Sequence, residues 1–238
     1  MRVGGRARPT PRPGADQAQA IALTGVTRMF GAQPAIIGIS LTVERGEVVR
    51  VRGANGAGKS TLLRVVATAL SPTFGRGVVL GFDLAGERDE IRRRTDLLTH
   101  RTRLYEELSA AENLRFSCAL HGIDPALVPG ALERVGLAAA AGERVSGFSQ
   151  GMRQRVAVAR TILRQAELLL LDEPYAGLDD DARGVVDQVV LAARDAGRTV
   201  LLATHEPTRP GLATRTMLLE AGRLRPHPVS PSRSGVLG

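Results

Sequence analysis

The stretch Gly53–Val65, GANGAGKSTLLRV, decides how the rest of this 238-residue chain is read. Its spacing is Gly53-x-x-x-x-Gly58-Lys59-Ser60, and Lys59 is the only lysine in a chain holding 32 lysine plus arginine residues. Glycines, having no Cβ, let successive backbone N–H groups turn inward toward phosphate oxygens. The preceding EVVRVR reads as a strand and the following STLLRVVATAL as a helix, which completes the context of a P-loop. That helix adds the positive end of its dipole to the same anion site. An ammonium is a compact point charge that fits inside a tight loop, whereas a guanidinium is a wide planar fork. That contrast accounts for one lysine surviving among arginines. Ser60 supplies a hydroxyl suited to Mg²⁺, an ion that takes oxygen ligands and keeps several waters. The nucleotide-binding set expected from the loop is Gly53, Asn55, Gly56, Gly58, Lys59, Ser60 and Thr61.

Two apolar strands further along deliver polar groups to the same expected sheet edge. LLLLDE ends in Asp172 and Glu173, and TVLLATHE carries His205 next to its end. Ligands of open parallel sheets gather at the carboxyl ends of the strands. Asp172 is therefore placed to hold Mg²⁺, directly or through water, and Glu173 to act as general base on an attacking water. His205 can hydrogen-bond a terminal phosphate or orient that water. Each stretch alone is also compatible with a strand that simply meets solvent. In FSQGMRQR (Phe148–Arg155), Ser149 and Gly151 open a long helix, offering a hydroxyl and free N–H groups to a second anion. Read in isolation it is an ordinary helix cap. With a single P-loop per chain, two copies facing head-to-tail complete each other's sites.

Composition narrows the class. The chain is 43% hydrophobic and carries a formal charge of +8, yet aromatics make up only 3%. A basic stripe interleaved with stacking residues, as nucleic-acid binding demands, is not visible. No apolar run of about 18 residues is present, so any membrane-spanning part is expected on another chain. The one cysteine, Cys118, fits a reducing compartment, and the N-terminal segment predicts no secretory signal. Residues 1–19 and 226–238 have tail composition and are expected to be flexible. Between them, strands alternating with helices predict an α/β domain over 20–225, its parallel sheet covered on both faces. Residues 90–165 read as mainly helical and predict an inserted helical subdomain. Within it, Ser109 with Glu112 forms a capping box for a helix ending at Gly122, and Pro129 interrupts a second helix.

Taken together, GANGAGKST, FSQGM, LLLLDE, AGLD (Ala176–Asp179) and His205 resemble, in order and spacing, the ATP-binding cassette ATPases of ABC transporters. The likeness covers residues 20–225. It implies a P-loop ATPase with an ABC-type core sheet and a helical subdomain, using ATP and Mg²⁺. It further implies a homodimer on the cytoplasmic face of the membrane, driving a separate transmembrane permease, with no specific nucleic-acid partner. Phe30 matches the aromatic that stacks on adenine. Ser149, Gln150 and Gly151 fall on the signature motif that contacts the other subunit's nucleotide, and Asp179 on the D-loop. Two departures stand out. The signature reads FSQGM where the family most often has LSGGQ, and the Q-loop position carries His100 and Arg101 instead of glutamine. The stretch THRTRLYEELSAAENLRFSCALHG is similar to the haem-exporter ATPases of cytochrome c maturation. Multidrug or antibiotic exporter ATPases are the alternative, and a soluble cassette acting on nucleic acid or ribosomes is a more distant one.

Overall fold

The computed structural model describes residues 18–99 and 101–227. A four-stranded antiparallel sheet is ordered β2-β1-β4-β5, from β1 (Gln19–Phe30), β2 (Gln33–Glu44), β4 (Phe74–Val79) and β5 (Phe82–Asp83). A six-stranded sheet is ordered β10-β9-β3-β8-β7-β6. Its strands are β3 (Val48–Arg52), β6 (Thr95–Leu98), β7 (Leu168–Asp172), β8 (Thr199–Ala203), β9 (Arg215–Glu220) and β10 (Arg223–Pro226). All neighbours in it pair in parallel except β9 with β10, which form the antiparallel hairpin expected from TRTMLLEAGRL.

The unbroken leucines of β7 follow from burial on both sides. Side chains alternate across a strand, so Leu169 and Leu171 enter one core while Leu168 and Leu170 enter the other. The first core packs under α3 (Ala110–His121), α4 (Val128–Arg134), α5 (Gln150–Arg164) and α6 (Asp180–Asp195). The second holds α1 (Lys59–Val66) between the parallel sheet and the antiparallel one, with Leu62, Leu63, Val65 and Val66 fully buried. Each such aliphatic side chain contributes about 1.5–3 kcal/mol by leaving water.

Three sequence expectations are corrected. The helical stretch does not run from residue 90. After the short α2 (Arg88–Arg94), Thr95–Leu98 form the edge strand β6, paired with β7. Only four residues long and preceded by an arginine-rich helical run, TDLL carries no periodicity of its own. Pro129 does not interrupt a helix: it sits in the first turn of α4, where its missing N–H costs nothing. Strand structure extends one residue past each expected end of the domain, since Gln19 opens β1 and Pro226 closes β10. Residues 1–17 and 228–238 lie outside the described residues.

The expected capping box is present. Ser109 Oγ accepts from the Glu112 N–H at 3.2 Å, and Glu112 Oε2 accepts from the Ser109 N–H at 2.8 Å. Gly122 ends α3 in the left-handed region. Cys118 is on the buried face of α3. Among the described residues no helix is long and apolar enough to cross a membrane.

Candidate functional site

Strand β8 lies between β3 and β7, so the loops that follow these three strands share one edge of the sheet. Behind β3 the glycine-rich loop runs directly into α1, with Gly58 as its N-cap at φ +106. A side chain there is excluded twice: that φ is unfavourable for an L-residue, and a Cβ would meet the Ala35 carbonyl oxygen at 2.4 Å. Strand β2 thus presses on the loop and fixes its curvature. Asn55, Gly56, Gly58, Lys59, Ser60 and Thr61 line one cleft of about 320 Å³ together with Ala35 and Glu173.

Lys59 is 5% exposed. Its Nζ donates to the carbonyls of Gly53 at 2.7 Å and Ala54 at 3.1 Å, and lies 3.0 Å from Glu173 Oε1. A buried ammonium needs this compensation. Glu173 reaches it from the end of β7 in the left-handed conformation, φ +49, anchored by its N–H donating to the Ala203 carbonyl of β8 at 2.8 Å. His205 closes the group, its Nδ1 3.0 Å from Glu173 Oε2 and its backbone N–H donating to the same oxygen at 3.3 Å. Burial alone raises a carboxyl pKa, but the hydrogen bonds from His205 and Lys59 and the Lys59 charge outweigh it. Glu173 therefore stays below its ordinary value and is ionised at neutral pH. A carboxylate held between a lysine and a histidine at a phosphate cradle can accept a proton from water and keep the imidazole oriented.

Asp172 is fully buried and accepts from Ser60 Oγ at 2.8 Å. Two hard oxygen donors, one in the first turn of α1 and one at the end of β7, suit Mg²⁺. No group of three or more histidine, cysteine or acidic residues that could hold a metal occurs among the described residues. Mg²⁺ here would thus take its remaining ligands from phosphate and water, as it commonly does.

Other expected residues lie elsewhere. Ser149 caps α5 and accepts from the Met152 N–H at 3.2 Å. Neither Ser149, Gln150 nor Gly151 lines the P-loop cleft of its own chain. Instead α5 leans on the segment before α6: a Cβ on Gly151 would stand 3.3 Å from the Gly177 carbonyl oxygen. Arg155 Nη2 meets both oxygens of Asp179, at 2.7 and 2.8 Å. Asp179 also caps α6 through the Ala182 N–H. That bond first, then the Arg155 guanidinium, holds its carboxyl below the ordinary range. Phe30 is 49% exposed at the end of β1, with Arg28 stacked 4.9 Å over its ring. Arg101 faces a separate cleft with Thr102, Phe148, Gln150 and Arg153. His100 lies outside the described residues.

Sequence reading missed Ala35, which carries no signal of its own, and Arg50, which did. A charged residue inside the apolar strand VVRVR requires a partner, and Arg50 Nη2 donates to the Glu206 carbonyl at 2.9 Å.

A family model described as ABC transporter matches residues 36–176. The chain belongs to the ABC transporter ATP-binding cassettes. Like the rest of that family, this ABC cassette is an ATP-binding, ATP-hydrolysing transporter subunit. It is 35% identical over 194 residues to the ABC transporter ATP-binding protein NatA of Bacillus subtilis (strain 168), covering 78% of this chain and 79% of NatA. The daunorubicin resistance ATP-binding protein DrrA3 of Streptomyces coeruleorubidus is 38% identical over 210 residues, 86% of this chain and 66% of DrrA3. Nod factor export ATP-binding protein I of Rhizobium meliloti (strain 1021) is 35% identical over 238 residues, 95% of this chain and 70% of that protein. Among solved structures, an ATP-binding subunit of an ABC transporter superposes with TM-score 0.79 at 28% identity, covering 86% and 88% of the two chains. A bacterial ABC transporter cassette solved as a dimer gives TM-score 0.80 at 24% identity, covering 86% and 96%, which supports the fold.

Proposed function

We infer that the cassette binds ATP with Mg²⁺ in the P-loop cleft and hydrolyses it within a head-to-tail pair of identical chains, driving an export permease in the membrane. The carrying observation is the Lys59–Glu173–His205 group, gathered from the segments that follow three neighbouring strands beside the Ser60–Asp172 pair. In this reading the loop N–H groups and Lys59 neutralise the phosphates, and Ser60 and Asp172 hold Mg²⁺, which when bound supplies further charge neutralisation. Glu173 takes the proton of the attacking water. His205 holds Glu173 in place and bonds the terminal phosphate. Phe30, already exposed on the β1–β2 hairpin whose Ala35 lines the cleft, stacks on the adenine.

The separation of Ser149 and Gly151 from their own chain's cleft supports the pairing, because the helix start then faces a second copy's phosphates. The dimeric neighbour, described as such in its own structure, favours the same arrangement. For cargo, the stretch from Thr99 to Gly122 pointed first to haem export, but none of the relatives named above is a haem exporter. Their names, daunorubicin resistance and Nod factor export, favour the exporter of a small organic molecule instead.

Glu173→Gln tests the core of this. It keeps the shape of the side chain but removes the base, so hydrolysis should fall at least about 100-fold while light scattering shows an ATP-dependent pair. A monomer at saturating ATP refutes the shared site. Capture of a membrane permease by the full chain, followed by transport of an anthracycline or of haem into vesicles, decides the cargo.

A further inference from the structure

Arg183 lies one turn into α6 and touches the segments that follow both Glu173 and His205. Its guanidinium stacks 4.9 Å over the ring of Tyr175, two residues past Glu173. Its Nη1 bonds the carboxylate of Glu206, and its Nη2 donates to the Pro207 carbonyl at 3.4 Å. These are the two residues after His205. Glu206 is held from further sides as well: its carbonyl accepts from Arg50 of β3, and its N–H donates to Thr204 Oγ1 at 3.1 Å. Tyr175 is 2% exposed and donates its hydroxyl to Asp187 Oδ1 at 2.7 Å, so the surface on which Arg183 rests is itself fixed. The Arg183 and Glu206 side chains are only 26% and 23% exposed, which spares their ion pair much of the screening of open solvent. Only a planar guanidinium can offer its face to a ring and its edge to two oxygens at once.

We propose that Arg183 is a positioning residue of the hydrolytic site. It braces the chain after Glu173 against the chain after His205 and thereby sets the 3.0 Å contact between those two side chains. Arg183 does not line the P-loop cleft, so it acts through Tyr175 and Glu206 and not on the phosphates. The proposal rests on the reading of Glu173 and His205 as the hydrolytic pair.

The test is steady-state ATP hydrolysis by the full chain carrying Arg183→Met, Arg183→Lys, Glu206→Gln or His205→Ala, singly and in combination with His205→Ala. Arg183→Met keeps the aliphatic stem. It should lower kcat by about tenfold to a hundredfold, the scale of a misplacement near 1 Å, with KM for ATP held within about twofold. Arg183→Lys should not restore the rate, because lysine lacks the fork. On a His205→Ala background, Arg183→Met should cost less than about twofold more, since the contact it sets is already gone. Should Arg183→Met fail to fold, Glu206→Gln, which preserves size, carries the same comparison with the same expected result. A kcat for Arg183→Met within about twofold of the parent overturns the proposal. So does an equal loss on both backgrounds, which is what a merely structural role gives. Normal turnover by His205→Ala alone overturns the underlying pair, and is thereby distinguishable from failure of the brace.

Discussion

Replacing Gly58 by alanine tests whether strand β2 shapes the phosphate cradle. The cost has two separable parts. Holding a residue with a Cβ at φ +106 costs about 1–3 kcal/mol in backbone strain. Fitting the methyl group 2.4 Å from the Ala35 oxygen and 2.9 Å from Ile36 Cγ2 adds about 1–3 kcal/mol of overpacking. The sum, about 2–6 kcal/mol, is a large share of the roughly 5–15 kcal/mol that stabilises a domain. For a chain of this size each kcal/mol moves Tm by about 2–4 °C, so Gly58→Ala should melt at least about 4 °C below the parent. Gly56→Ala is the control. Gly56 also has positive φ, +81, but nothing lies within 4 Å of its would-be Cβ, so it bears the backbone part alone. Circular dichroism melts of both variants, with and without ATP, separate the terms. Relieving the clash at Gly58 moves the loop away from β2 and spoils the cradle, so the ATP-induced rise in Tm should shrink in that variant. If Gly58→Ala melts with Gly56→Ala and gains as much from ATP, the contact with β2 has no role in the site.

Two further outcomes follow from the same group of residues. Lys59→Arg keeps the charge but places a fork where Gly53, Ala54 and Glu173 surround one nitrogen; hydrolysis should fall at least about tenfold, and near-normal turnover in a steady-state assay refutes the steric argument. Because Glu173 sits below its ordinary pKa of 4.5, the hydrogen bond from His205 and the pairing with Lys59 that hold it there contribute stability that is fully present above that value and is lost as pH falls through the lowered one. The Tm difference between the parent and Glu173→Gln should therefore stay flat from pH 7 to about 5.5 and shrink only in more acid solution. A difference that changes above about pH 5.5 assigns the titration to another group.

What was legible in the sequence was what one segment decides by itself. The glycine-rich loop, the Ser109–Glu112 cap, the hairpin turn and the strand-end positions of Asp172, Glu173 and His205 each follow from neighbouring residues. What was not legible needed a partner distant in the chain. LLLL does not reveal which of its leucines feeds which of the two cores, and TDLL becomes a strand only because β7 offers it an edge. Ala35 enters the cleft because β2 folds over a loop some twenty residues later. The brace made by Arg50, Tyr175, Arg183 and Glu206 draws on β3, α6 and the ends of β7 and β8. Of its members only Arg50, a charge in an apolar strand, announced the need for company.

Glu173 occupies a left-handed backbone conformation that glycine or asparagine adopts at far lower cost. A chain selected for durability alone would drift to one of those residues at that position and gain ground by it. Glutamate at this position therefore fits a demand of turnover, on the reading of Glu173 as the base, and not one of durability. In any collection of related chains, exchange of this residue for glycine should mark the copies that have stopped turning over nucleotide while remaining well folded.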